Sequence, residues 1–75
     1  MNLIIIRNAV NTAFNRQIQE ESRRRDVVYS RAIYYKLAKD YSGKSLAKIG
    51  KAVNKDHATV IHGLKLFENV INLVT

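Results

Sequence analysis

Two histidines near the end of the sequence are its most obvious candidates for chemistry. His57 and His62 could ligate a metal ion, but they are five residues apart. On a helix that spacing turns the two side chains about 140° away from each other, whereas paired ligands on one face are three or four residues apart. The chain has no Cys, and no Ser stands at a recognisable spacing from a base. We therefore expect no catalytic residue, no metal and no cofactor.

A second candidate, Gly43-Lys44-Ser45, imitates the end of a phosphate-binding loop. The complete motif, G-x-x-x-x-G-K-[ST], requires a glycine at position 38, where this chain has Ala38. The residues before the imitation also have the apolar spacing of a helix, whereas the motif follows a strand. We therefore expect neither nucleotide binding nor hydrolysis, and the sequence does not indicate an enzyme.

The remaining chemistry that the sequence offers is electrostatic attraction to a polyanion. The formal net charge is +7, and residues 23–55 hold ten basic against two acidic residues, a local charge of +8. A stripe of cations on a loop and two neighbouring helices fits a phosphate backbone, although a merely solvated surface is the plainer explanation. The side chains from which backbone contacts would come are Arg24, Lys36, Lys39, Lys44, Lys48, Lys51, Lys55, His62 and Lys65.

Apolar spacing predicts four helices that position these residues. Apolar side chains recur every three or four residues over about 3–19, 30–41, 45–53 and 57–72, which leaves a basic loop over 20–29. Ser30, Ser45 and Asp56 are placed to cap the last three helices, Ser42-Gly43 to end the second, and Asn54-Lys55 to form a tight turn. The pattern predicts one all-α domain over residues 1–75, a small helical bundle that contains a helix-turn-helix.

The same spacing predicts which side chains form the core. No apolar run approaches the roughly 20 residues of a membrane-spanning helix or the apolar centre of a signal peptide, so we expect a cytoplasmic protein that does not bind a membrane. The expected core residues are Leu3, Ile6, Val10, Ala13, Phe14 and Ile18; Ile33, Tyr34, Leu37, Ala38 and Tyr41; Leu46, Ile49, Gly50 and Val53; and Val60, Leu64, Phe67, Val70 and Ile71.

The last predicted helix begins with side chains suited to reading a DNA groove. His57 and Thr59 lie in its first turn, where the N-terminal residues of a recognition helix meet base edges. Thr offers a hydroxyl and a methyl group, and His offers a ring N–H donor. Ala58, His62 and Lys65 fall on the face opposite the apolar series.

Four features together resemble the C-terminal DNA-binding domain of the bacterial replication initiator DnaA. They are R-D-V-V-Y-S-R at 25–31, A-K-D at 38–40, S-L-x-x-I-G at 45–50, and D-H-x-T-V-x-H at 56–62. The last two motifs in register are specific, and the likeness covers about residues 23–68 with one deletion between those motifs. The resemblance implies a Trp-repressor-like helix-turn-helix that binds double-stranded DNA, and hence a nucleoid-associated protein. We expect a monomer rather than a dimer.

The resemblance also implies roles for single residues. In the family a basic-loop arginine enters the minor groove, an arginine at the next helix start reads a major-groove base, and the D-H-T-T signature meets further bases. Lys39 matches a position that contacts backbone phosphate. Matched onto this sequence, the expected base contacts are Arg23, Arg25, Arg31, His57, Ala58 and Thr59.

The sequence departs from the family on the expected reading surface. Ala32 stands where the family has Gln and Ala58 where it has Thr, so an amide and a hydroxyl are lost from that surface. The family joins this domain to an ATPase, whereas here the domain stands alone or the chain is a fragment. The leading hypothesis is sequence-specific duplex-DNA binding in replication or transcription control. The rival is a protein-interaction module that antagonises a replication or transcription protein.

Overall fold

A computed structural model describes residues 1–71 of the chain, and all of its regular structure is helical. No residue from 1 to 71 lies in a β-strand, which confirms the all-α prediction. The elements are α1 (Leu3–Phe14), α2 (Arg25–Tyr41), α3 (Leu46–Lys51), α4 (His57–Leu66) and a π-helical segment (Phe67–Ile71) that continues α4.

The core lies around α2, which contacts α1, α3, α4 and the π-helical segment. The buried side chains form a single cluster to which all four α-helices or their adjoining turns contribute. Burying apolar side chains of this size is the main favourable term in folding a chain this short. The members of the cluster are Ile6, Val10, Ile18, Tyr34, Tyr35, Ala38, Ile49, Val53 and Val60.

The predicted caps and turns around α3 and α4 are confirmed. The Ser45 hydroxyl accepts a hydrogen bond from the Lys48 N–H at 3.3 Å, and a carboxylate oxygen of Asp56 accepts from the Thr59 N–H at 2.9 Å. Asn54 has φ 62°, in the left-handed region that asparagine tolerates. The two caps provide hydrogen-bond acceptors for N–H groups that a helix start leaves without a partner, and the conformation of Asn54 lets the chain turn between the helices.

The first helix is shorter than predicted, because it ends at Phe14 instead of near residue 19. Asn15 adopts a left-handed conformation with φ 53°, and the Asn11 carboxamide then accepts from the Ile18 N–H at 2.9 Å. This side-chain bond turns the chain back so that Ile18 fills the core from the loop. Phe14, which was expected in the core, is 44% exposed as a result, and Ala13 is exposed too.

The second helix begins five residues before the predicted start, so the loop before it covers residues 15–24. Ser30 is therefore no N-cap: it lies inside α2, where its hydroxyl donates to the Asp26 carbonyl at 2.8 Å. The first turn is stabilised by Asp26, since a carboxylate near a helix N-terminus is favoured by the helix dipole. Arg16 holds that carboxylate from the loop at 2.7 Å.

Several core predictions in α2 and the last helix are wrong. α2 packs against α1 on one side and α4 on the other, so its buried arc includes Val27, Ala32 and Tyr35 and leaves Leu37 and Tyr41 exposed. Val70 is also exposed. The predicted last helix divides into α4 and the π-helical segment; the Ile71 side chain and position 72 lie outside the described residues.

Two carboxylates, those of Asp26 and Asp56, are expected to make the stability of this fold decrease at acidic pH. Hydrogen bonds from the Thr59 N–H and hydroxyl hold the pKa of Asp56 below its usual value, and the Arg16 side chain does the same for Asp26. A lowered native pKa contributes stability that is present above the unfolded pKa of about 4 and is lost as pH falls through the lower native value. We expect the urea midpoint to fall between about pH 5 and pH 2.

The matched variant for this titration is Asp56→Ser combined with Asp26→Asn. Serine retains a capping oxygen and asparagine retains a polar side chain, but neither residue titrates in this range. The double variant should lose much of the acid-dependent drop in the urea midpoint. An equally steep drop in the double variant would contradict the assignment of the pH dependence to these two residues.

Candidate nucleic-acid interface

The helix α3, the turn after it and α4 form a closely packed unit. The Gly50 carbonyl accepts hydrogen bonds from the N–H groups of Val53 and Lys55, each at 2.9 Å, and the side chains of Val53 and Val60 are fully buried. From α2, the Tyr34 hydroxyl donates to the Ile49 carbonyl at 2.8 Å. The orientation of α4 relative to the core is thus fixed by both backbone and side-chain contacts.

The outward face of α4 collects most of the predicted contact residues of that helix. His57, Ala58, His62 and Lys65 are exposed on it. Ile61 was not among the predicted contact residues, but it is 38% exposed and lies on the same face. Helical periodicity could have identified it, because residue 61 is turned by about 100° from Val60 and shares its face with residues 58 and 65.

Thr59 lies at the edge of this face, and its hydroxyl already has a partner. The hydroxyl donates to a carboxylate oxygen of Asp56 at 2.8 Å. Because a threonine hydroxyl has one proton and two lone pairs, Thr59 in this arrangement offers a ligand only acceptor lone pairs and its methyl group. Such a side chain suits a thymine methyl or a base amino group.

Arg31 and Ala32 do not lie on the outward surface where the sequence comparison with the family placed them. Arg31 is only 7% exposed, and its Nη2 donates to the Ser22 carbonyl at 2.6 Å. It lines a cavity of about 160 Å³ between α2 and α4 together with Thr59 and His62. Ala32 is fully buried, so in this structure a longer side chain there would have no direct path to a base.

The basic loop sits beside the turn that leads into α4. The Asn54 side chain donates to the Gln19 carbonyl at 3.0 Å, and Lys55 Nζ lies 3.4 Å from a Glu21 carboxylate oxygen. On the loop and at the start of α2, Arg23 and Arg25 are exposed and form no ion pair within residues 1–71. The candidate minor-groove arginines are therefore carried on a segment fastened to the helix-turn-helix.

The lysines expected at the phosphate backbone are not equally free to contact a ligand. Lys36 pairs with Asp40 at 3.0 Å and Lys55 with Glu21, and Arg24 lies 3.6 Å from Asp26. The pairs of Lys36 and Arg24 are exposed, and such pairs contribute little free energy and are easily exchanged for phosphate contacts, whereas the Lys55 side chain is only 19% exposed. The cations that are exposed and form no ion pair in the described part of the chain include Lys39, Lys44, Lys48, Lys51 and Lys65.

The residues that the structure describes, 1–71, also bear on membrane insertion and metal binding. No helix there is both long and apolar enough to cross a bilayer. No three side chains of the metal-ligating types come together there in an arrangement that could hold an ion. His57 and His62 are both exposed on α4, and only His62 borders the cavity beside Arg31.

Comparisons with known proteins point to one family. The model of the bacterial dnaA protein helix-turn-helix matches residues 5–66. The chain is 53% identical over 49 residues to the chromosomal replication initiator protein DnaA of Bacteroides thetaiotaomicron, covering 64% of this chain and 10% of the relative. It is 41% identical over 59 residues to the same protein of Oleidesulfovibrio alaskensis (79% and 13%) and 33% identical over 72 residues to that of Porphyromonas gingivalis (91% and 15%).

All three alignments cover only a small part of the relative's length. The chain spans only 10% to 15% of the length of the three relatives. No solved structure gives a significant match.

Proposed function

Because the chain belongs to the bacterial DnaA helix-turn-helix family, we propose that it is a binding protein, not an enzyme, and that it recognises a specific sequence in double-stranded DNA. The observation that carries the proposal is the juxtaposition of two surfaces. The outward face of α4 follows a turn that is bonded to the loop over residues 15–24. Arg23 on that loop and Arg25 at the start of α2 are exposed and form no ion pair within residues 1–71. A recognition helix and a cationic loop side by side match the adjacent major and minor grooves of a duplex.

In the proposed complex α4 enters the major groove by its N-terminal half. His57 offers a ring N–H, and Thr59 offers acceptor lone pairs and a methyl group. Ala58 and the neighbouring Ile61 are suited to apolar contact with thymine methyl groups. Loss of the family's threonine hydroxyl at Ala58 supports a preferred site that differs from the usual initiator box.

The loop over residues 15–24 and the start of α2 supply the second part of the proposed complex. Arg23 and Arg25 enter or flank the minor groove, where a guanidinium is favoured by the negative potential between the phosphate rows. The exposed lysines elsewhere on the chain neutralise phosphates and contribute affinity that depends little on sequence. Within the cell we propose that the protein occupies sites as a monomer, at the nucleoid, in replication or transcription control.

The experiment that tests this function is selection of bound duplexes from a random library, followed by titration of the enriched site at several salt concentrations. If about six phosphates are neutralised, the slope of log K against log salt concentration is expected to be near −5. A slope near zero would contradict DNA binding. Weak binding to every duplex, with no enriched site, would favour the rival function of a protein-interaction module.

Two single substitutions separate base reading from phosphate contact. His57→Ala should relax the preference at one position of the selected site, with a loss of discrimination of about 1–3 kcal/mol. Lys39→Ala should weaken binding to selected and random duplexes alike and reduce the salt slope by about 1. Both effects are measured by fluorescence anisotropy on the same pair of duplexes. If neither variant changes either affinity, the proposed surface is wrong.

A further inference from the structure

Besides the Asn11 bond to Ile18, three contacts hold residues 19–22 of the loop, two from the turn before α4 and one from α2. Asn54, in the turn before α4, donates to the Gln19 carbonyl at 3.0 Å. Lys55 lies 3.4 Å from the Glu21 carboxylate. Arg31, in α2, donates to the Ser22 carbonyl at 2.6 Å. The fastened residues immediately precede Arg23.

The Arg31 contact is the best protected of the three. The side chain is 7% exposed, and a buried guanidinium requires polar partners because its charge cannot be removed by deprotonation. Its short bond to a loop carbonyl supplies one such partner. Reading a base would require Arg31 to give up that bond and move into solvent, whereas Arg23 and Arg25 are already exposed.

Asn54 combines two properties that few residues share. Its φ of 62° lies in the left-handed region, which asparagine adopts more readily than most residues other than glycine. Its carboxamide also provides an N–H donor that glycine lacks. Asn54 therefore both shapes the turn and connects it to the loop. It does so at the place where the sequence is one residue shorter than the family pattern.

From these contacts we propose that Arg31 and Asn54 are positioning residues, which fix the basic loop against the turn before α4 and so set the spacing between the minor-groove arginines and the recognition helix. This inference rests on the proposed function. A loop that is ordered before binding loses less conformational entropy on the DNA than a free one. Both residues therefore contribute to minor-groove reading without touching a base.

The test uses chemically altered copies of the selected duplex. Replacing adenine by 2,6-diaminopurine adds an amino group in the minor groove and leaves the major-groove edge unchanged. Replacing guanine by 7-deazaguanine removes a major-groove acceptor and leaves the minor groove unchanged. The double variant Arg23→Ala/Arg25→Ala defines the response to diaminopurine expected when minor-groove reading is lost.

The variants are Asn54→Gly, which retains the backbone conformation and removes the donor, and Arg31→Met, which retains much of the buried volume and removes the guanidinium. Each should bind the unmodified site about two- to tenfold more weakly, the effect of losing one hydrogen bond. Each should also become insensitive to diaminopurine while its response to 7-deazaguanine stays that of the wild type. Asn54→Asp, which replaces the donor by an acceptor, should behave like Asn54→Gly.

Two results would overturn the inference while leaving DNA binding in place. One is a wild-type response to diaminopurine in folded Asn54→Gly. The other is an Arg31→Met variant that loses only its response to 7-deazaguanine, which would make Arg31 a direct major-groove contact. Amide hydrogen exchange in the free protein provides an independent readout, because both variants should speed exchange at residues 20–24. If wild-type protein selects no site at all, the proposed function fails, and the inference about groove reading fails with it.

Discussion

Replacing Gly50 with alanine is expected to unfold the helix-turn-helix at moderate temperature. A Cβ at this position would lie 2.6 Å from the Lys55 carbonyl oxygen, 2.9 Å from Cγ2 of Val60 and 3.0 Å from the Asp56 carbonyl oxygen. Two of these three atoms belong to the backbone of the turn, which cannot retreat without moving α4. Overpacking of this kind costs about 1–3 kcal/mol or more, and a domain of this size has only about 4–11 kcal/mol in total.

Thermal unfolding followed by circular dichroism measures the effect of Gly50→Ala. A loss of about 2–3 kcal/mol corresponds to a fall of about 8–24 °C in the melting temperature, since each kcal/mol corresponds to roughly 4–8 °C in so small a domain. Lys51→Ala, at the exposed neighbouring position, is the control and should stay within about 4 °C of the wild type. A Gly50→Ala protein as stable as that control would show that the turn adapts to the added methyl group.

Gly63→Ala is expected to have the second largest effect, through a side chain instead of the backbone. A Cβ at position 63 would overlap Cδ2 and Cε2 of the Tyr35 ring. That ring is 2% exposed and packs edge-on against Tyr34, with 5.7 Å between the ring centroids. The ring can therefore move only toward the cavity of about 160 Å³ that it borders between α2 and α4, and we expect a loss of about 2 kcal/mol in the free energy of unfolding.

A compensating change at Tyr35 distinguishes this clash from other causes. The Tyr35 hydroxyl is buried without a hydrogen-bond partner among the described residues, so removing it sacrifices no bond there. Methionine is unbranched and flexible and fills irregular space. The loss in the free energy of unfolding of Gly63→Ala/Tyr35→Met should therefore be smaller, by about 1–2 kcal/mol, than the sum of the losses of the two single variants. A double-mutant cycle in urea measures this difference. Additive effects would contradict the proposed clash.

Local sequence signals predicted the part of the fold around α3 and α4. Ser45, Asp56 and Asn54 each act on backbone groups within three residues of themselves. Such interactions depend on residue type and spacing, both of which are visible in the sequence. The exposed face of α4 follows from the same helical period, and this is why the exposure of Ala58, His62 and Lys65 was predicted.

The features that were not predicted depend on side-chain hydrogen bonds between residues seven and nine positions apart, across stretches where the chain reverses direction. The end of α1 is decided by the Asn11 carboxamide, whose acceptor role requires the chain to have already turned back to Ile18. Nothing in the type or spacing of Arg31 indicates that its side chain is buried against a loop carbonyl. Tertiary packing determined both outcomes, and neither propensity nor periodicity contains that information.

The hydrogen bond from Tyr34 to the Ile49 carbonyl has a consequence for how the molecule opens. A helix of six residues such as α3 is too short to persist in water by itself. Burial raises the pKa of Tyr34 to about 12, so its hydroxyl keeps the donated proton at all physiological pH values. Any opening of α3 must give up this bond and the burial of Ile49 and Val53 at once. We therefore expect α3 and the turn after it to unfold together with the core and not as a separate unit.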